Sequence, residues 1–169
     1  TDYLLSRIPA DTLYLPVTAE TDQMEHYESL YGEHIQWISS KTELFDGRIG
    51  ITLYPAPSDT TGNESSMSVL CQVANCDILI TGDTTAKDER KLVQKETFPD
   101  LEVLVVGHHG SKTATSLELL HATTPDIAVI CVGKDNIFGH PAKETLERLQ
   151  LFGCTVLRTD KQGTVIIKG

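Results

Sequence analysis

The chain has 169 residues, 40% hydrophobic and 22% charged, with a formal net charge of −10; this ordinary globular composition supports a sizeable core and favours a single domain, residues 1–169. The acidic balance argues against a surface that neutralises phosphates with Lys and Arg, so a nucleic-acid role needs a metal, a local basic patch or another chain. No apolar run reaches the ~18 residues of a membrane span, and TDYLLSRIPADT lacks the basic-then-apolar pattern of a signal peptide, so the chain is expected to be soluble.

It starts without Met, as expected of a piece of a longer protein. LLSRIPA reads as a helix end stopped before Pro9, and Thr12–Val17 as a short strand ended by Pro16. Thr21–Leu30 is expected to be helical, with Met24, Tyr27 and Leu30 at helical spacing, and His34–Ser39 alternates like a strand. Phe45-Asp46-Gly47-Arg48 is a turn. ITLYPAP follows as a strand, and Ser58–Ser65 is a polar loop. Met67–Val73 and Cys76–Thr81 read as a hairpin around Ala74-Asn75.

After Gly82-Asp83, a helix is expected over Thr84–Phe98, with Thr85 and Asp88 in capping-box positions and its KDERK run as a solvated face. Leu101–Val106 is a strand, Ser116–Ala122 a short helix, Asp126–Val132 a strand, and Pro141–Gly153 a helix with Pro early and Gly at its end. TVLRT and TVIIK are expected to close the chain as strands around Asp160-Lys161-Gln162-Gly163. The nearly continuous β-branched strands of the second half are those of a sheet buried on both faces. Cys71, Cys76, Cys131 and Cys154 lack C-x2-C spacing and read as buried free thiols.

Three of these strands end in metal-binding residue types: CDILIT in Gly82-Asp83, LEVLVV in Gly107-His108-His109-Gly110, and DIAVICVG in a loop carrying His140 before a helix. The carboxyl edge of an α/β sheet is where sites collect. Asp offers a hard oxygen and His a neutral nitrogen suited to zinc and its neighbours. Two such ions can clamp a phosphoryl group and ionise a water. Each cluster alone also fits a turn or a helix entry; together, on successive strand ends, they point to one site. Lys112 can hold a phosphate as a point charge or simply be solvated. His26, His34 and His121 lack such company and read as surface or core histidines.

The ordered series NESS, LITGD, VLVVGHHGSKTATS, PDIAVICVG, N-x-FGHP and G-x-x-V-x-R-T-D-x-x-G-T-V resembles the carboxyl-terminal part of the metallo-β-lactamase-like domain of the ComEC family of bacterial DNA-internalisation competence proteins, from about Asn63 to Gly169. HHGSKT with FGHP is the specific part of the match. The resemblance implies an αββα sandwich, mixed α and β, of which this chain holds the carboxyl-terminal portion. It also implies two divalent ions (Zn or Mn) and a hydrolase acting on phosphodiesters, a nuclease degrading the strand of DNA not taken up. By this resemblance Asp83 is the bridging metal ligand and His109 the late metal-binding histidine. His108 and His140 sit beside the substrate as proton donors, and Asn63 lies near the site edge; Ser111 and Lys112 are further candidate substrate contacts.

The family's principal ligand string, H-x-H-x-D-H, occurs nowhere in this sequence, and TDYLLSRIPADTLYLP resembles the segment that follows it. Asp83 and His109 are too few for tight metal binding, so this piece is expected to bind metal weakly and to be inactive alone. Implied partners are DNA, the remaining half of the domain and the membrane channel of a membrane-anchored parent, with the domain outside the cytoplasm; exposed apolar surface makes a homodimer of the piece an option. Two other readings stand beside the nuclease: a soluble phosphoesterase for a small ester, which suits the acidic charge, and a non-catalytic partner-binding module.

Overall fold

The computed structural model describes Arg7 and residues 10–18, 21–57 and 66–168. Strands β1 (Leu13–Pro16) and β2 (Ile35–Ile38) form a two-stranded parallel sheet that pairs Leu15 with Trp37. Helix α1 (Thr21–Tyr31) and a 3-10 turn (Gly32–His34) connect them.

The other strands form a seven-stranded sheet in sequence order. β3 (Thr42–Phe45), β4 (Ile49–Tyr54), β5 (Ser68–Val73) and β6 (Cys76–Ile80) run as an antiparallel meander. From β6 onward the pairing is parallel, through β7 (Val103–Val105), β8 (Ile127–Ile130) and β9 (Thr155–Arg158). The crossovers carry α2 (Ala86–Lys95), α3 (Leu117–Thr123) and α4 (Lys143–Leu151). A sheet that always steps the same way through right-handed crossovers places every connecting helix on one face.

The register shows the consequence. Leu70, Leu79, Leu104, Ala128 and Val156 lie in one row across five strands. The first four are 4% exposed or less and pack with Leu119, Leu120 and Leu149 of the helices. Each fully buried leucine here contributes about 1.5–3 kcal/mol. The next row, on the opposite face, is Val69, Ile80, Val105, Val129 and Leu157, and Ile80 remains 37% exposed. On the same face Val129 is buried, at 7% exposure.

Several expectations need correction. TVIIK is not a strand: Thr159–Gln162 forms a short helix, α5, and residues 165–168 lie outside the sheet, with Ile166 73% exposed. The Thr159 hydroxyl bonds the backbone of Val132, and Arg158 pairs with Asp160 at 2.6 Å, which turns the chain away from the sheet edge. KDERK is not a wet face either, since Asp88 and Glu89 are buried. The Glu89 carboxylate accepts the N–H groups of Thr115 (2.7 Å) and Ser116 (2.6 Å) at the entry to α3.

Thr85 caps α2 with its backbone, and its hydroxyl donates to Asp88 at 2.7 Å instead of accepting an N–H as a capping box requires. All four cysteines are free, but Cys131 is exposed and only Cys154 is buried. β3 was not expected from the sequence. The expected helix end before Pro9, Ser58–Ser65 and Asn63 fall largely or wholly outside the described residues.

Candidate functional site

The carboxyl ends of β6, β7 and β8 open side by side, so the residues following them share one edge of the sheet. After β6, the chain turns at Gly82 with φ +61°, and both the backbone N–H and the hydroxyl of Thr84 bond back to the Thr81 carbonyl. Asp83 sits in this turn with its side chain about a third exposed, at 32%.

After β7 comes a 3-10 turn, Gly107–Gly110, in which His108 (φ 49°) and His109 (φ 54°) both adopt left-handed backbone. For residues other than glycine that conformation costs about 1–2 kcal/mol each. It is held from several sides. The His108 N–H donates to Gly82 O at 2.8 Å, tying the doublet to the Asp83 turn, and the Ser111 N–H donates to His108 O at 2.9 Å. Gly107 lies so close to the β6 end that a Cβ there would meet Thr81 Oγ1 at 2.8 Å.

These constraints aim the two imidazoles differently. His109 Nδ1 lies 2.7 Å from the Cys131 carbonyl at the end of β8. A carbonyl only accepts, so Nδ1 carries the hydrogen, and the neutral ring presents its Nε2 lone pair on the other side. Nε2 lies 3.9 Å from Asp83 Oδ1, too long for a hydrogen bond. Two metal bonds of about 2.1 Å to a shared ion span at most about 4.2 Å. A backbone carbonyl that fixes the far ring nitrogen is the usual support of a metal-binding histidine.

His108 points the other way, toward His140, with ring centroids 6.0 Å apart, and its Nδ1 is buried without a hydrogen-bond partner. His140 comes from the loop after β8. Asn136 clasps that loop: its Oδ1 accepts the His140 N–H at 2.9 Å, and its Nδ2 donates to His140 O at 2.8 Å and Gly133 O at 3.1 Å. Burial, and after it the neighbouring His108 and His109, hold His140 below the usual histidine range. The loop docks on the doublet through Gly110, where a Cβ would meet Pro141 Cβ at 2.6 Å, and through Ala142 N–H to Gly110 O at 2.8 Å.

Asp83, His108, His109 and His140 are therefore brought together. Among the described residues, no group of three or more His, Cys, Asp or Glu side chains is arranged to hold a metal ion. Ser111 is buried, and its hydroxyl lies 3.0 Å from that of Thr113, while its carbonyl accepts from Thr145 at 2.8 Å. Lys112 is exposed at the site rim. Sequence reasoning missed two contributors. The Cys131 carbonyl acts through backbone, which no motif reveals; Asn136 was visible only as the first letter of N-x-FGHP.

The family model of the metallo-beta-lactamase superfamily matches residues 4–134. The chain belongs to that superfamily. It is similar to ComE operon protein 3 of Bacillus subtilis (strain 168), 36% identical over 112 residues, 65% of this chain and 14% of that protein. Recombination protein 2 of Haemophilus influenzae is 38% identical over 103 residues, 61% of this chain and 13% of its own length. Competence protein ComA of Neisseria gonorrhoeae is 38% identical over 91 residues, 52% of this chain and 13% of its own. The chain thus spans only 13–14% of the length of these curated relatives.

Two solved structures share the fold. The metallo-beta-lactamase fold protein YhfI from Bacillus subtilis has a TM-score of 0.50 at 15% identity, covering 86% of this chain and 62% of that one. CmlA, a diiron beta-hydroxylase from Streptomyces venezuelae, has a TM-score of 0.53 at 14% identity, covering 75% and 33%. The resemblance read from HHGSKT and FGHP holds, and so does the metallo-β-lactamase-like fold class. Among the described residues no helix is long and apolar enough to cross a membrane.

Proposed function

We propose that this chain is the carboxyl-terminal part of a metal-dependent nuclease or phosphodiesterase domain of a bacterial DNA-uptake protein. The observation that carries the reading is the pair Asp83 Oδ1 and His109 Nε2, held 3.9 Å apart from neighbouring strand ends with the far nitrogen of His109 fixed on a carbonyl. The oxygen and nitrogen donors suit zinc or manganese. Bound divalent ions supply positive charge against a phosphoryl group and an ionised water at neutral pH. Asp83 and His109 would contribute to holding them.

His108 and His140 flank the position a substrate takes. The buried, unpartnered Nδ1 of His108 is the kind of unsatisfied group that catalytic sites retain. An imidazole in this position can pass a proton to the departing oxygen. Lys112 at the rim can meet a phosphate as a point charge; the hydroxyl of Ser111, engaged with Thr113, is less suited to it.

Two ligands hold an ion weakly, and the H-x-H-x-D-H string is absent from these residues. The remaining ligands belong in this reading to the other half of the domain. The parent is then membrane-anchored, with this domain outside the cytoplasm. Similarity to a recombination protein and a competence protein supports DNA as the substrate.

The test compares this chain with a longer polypeptide from the same gene that contains the ligand string. Titrating Mn or Zn by calorimetry is expected to give weak binding to the chain, and tight binding with nuclease activity in the longer form. No metal binding in either overturns the reading.

A further inference from the structure

The loop that delivers His140 also carries the most exposed apolar side chains beside the site: Ile137 is 90% exposed and Phe138 is 76% exposed. Large apolar groups in water at a site mouth mark a binding surface. This tip is not loose. Asn136 closes the loop onto Gly133 and His140 with three hydrogen bonds, so the side chains are presented by a clasped turn. The Phe138 ring lies nearly parallel to the His140 imidazole, 20° between planes with centroids 6.2 Å apart. His140 in turn meets His108 at 6.0 Å.

We propose that Phe138 is a stacking platform for an unpaired nucleobase next to the phosphodiester held at the site; this rests on the phosphodiesterase reading. A protein with net charge −10 gains little from phosphate neutralisation. Affinity for a single strand must then come from base stacking, which any base supplies through its π-face. The geometry suits single-stranded substrate, because a base inside a duplex cannot reach an exposed ring.

The experiment uses this chain in chelator, so that nothing is cleaved, with fluorescent oligothymidylate and an abasic oligonucleotide of equal length followed by anisotropy at low salt. The wild type is expected to favour oligothymidylate. Phe138→Ala is expected to weaken that binding about five- to hundredfold, the range one stacked base supplies, with abasic binding unchanged and Phe138→Trp retaining affinity. Equal affinity of the wild type for both oligonucleotides overturns the proposal, as does equal weakening of both by Phe138→Ala. A wild-type dimer that Phe138→Ala dissociates, with no preference for bases, overturns it in favour of a protein interface. Metal titration of the same samples is independent of Phe138, so loss of the metal site and loss of stacking are read separately.

Discussion

Asp83 and His109 approach within 3.9 Å although they stand on different strand ends and twenty-six positions apart in sequence. Parallel pairing of β6 with β7 sets the approach, and the bond from His108 N–H to Gly82 O locks it. The pair is held by backbone, so either side chain can be replaced with the turn geometry retained. Asp83→Asn is expected to keep the denaturation midpoint within the small range of surface substitutions, about 0.5 kcal/mol, while weakening metal binding at least tenfold. Calorimetry and urea unfolding check the two halves of this expectation.

Gly110 joins the doublet to the His140 loop. It has φ +80°, and a Cβ there would meet Pro141 at 2.6 Å. Gly110→Ala is expected to destabilise by about 1–3 kcal/mol through strain and overpacking. It should also displace His140 from His108, read as changed histidine ring resonances in NMR. Unaltered stability and unaltered resonances would show that the contact is not restrictive.

Glu89 joins α2 to the entry of α3. Removing its carboxylate leaves two buried N–H groups without acceptors, each costing about 1–3 kcal/mol. Glu89→Ala is therefore expected to lower the urea midpoint strongly. Burial raises the Glu89 pKa above its ordinary 4.5, against the opposing hydrogen bonds from Ser116 and Thr115. The folded chain then holds this proton more tightly than the unfolded one, so the stability Glu89 contributes is present below pH 4.5 and falls as pH rises through its raised range. Glu89→Gln is expected to flatten that fall; an identical pH profile in the variant would contradict it.

Asn136 makes the three bonds that close the His140 loop. Asn136→Ala is expected to leave metal binding unchanged and to lower the turnover of the longer, metal-complete polypeptide about ten- to hundredfold, because a small displacement of a catalytic group carries a cost of that order. A loss of metal affinity instead would place Asn136 nearer the ions.

Much of the parallel half of the sheet was legible because its strands are short β-branched runs bounded by Gly and Pro, and the site because Asp and His recur at successive strand ends. What stayed hidden depends on tertiary context. Glu89 sits in a run of charges that reads as solvated, and only the folded chain brings it to the α3 entry. TVIIK is a β-branched apolar run like a strand, but Thr159 and Arg158 bend the chain away before it can pair. TELF of β3 is short and half polar, and it becomes a strand because β4 offers an edge.

The central claim is tested most directly by metal-dependent cleavage of single-stranded DNA by the longer polypeptide, comparing the wild type with His109→Ala. Activity that requires Zn or Mn and is lost in the variant, with the fold intact by circular dichroism, is the result this account predicts. Unchanged cleavage in His109→Ala would contradict it.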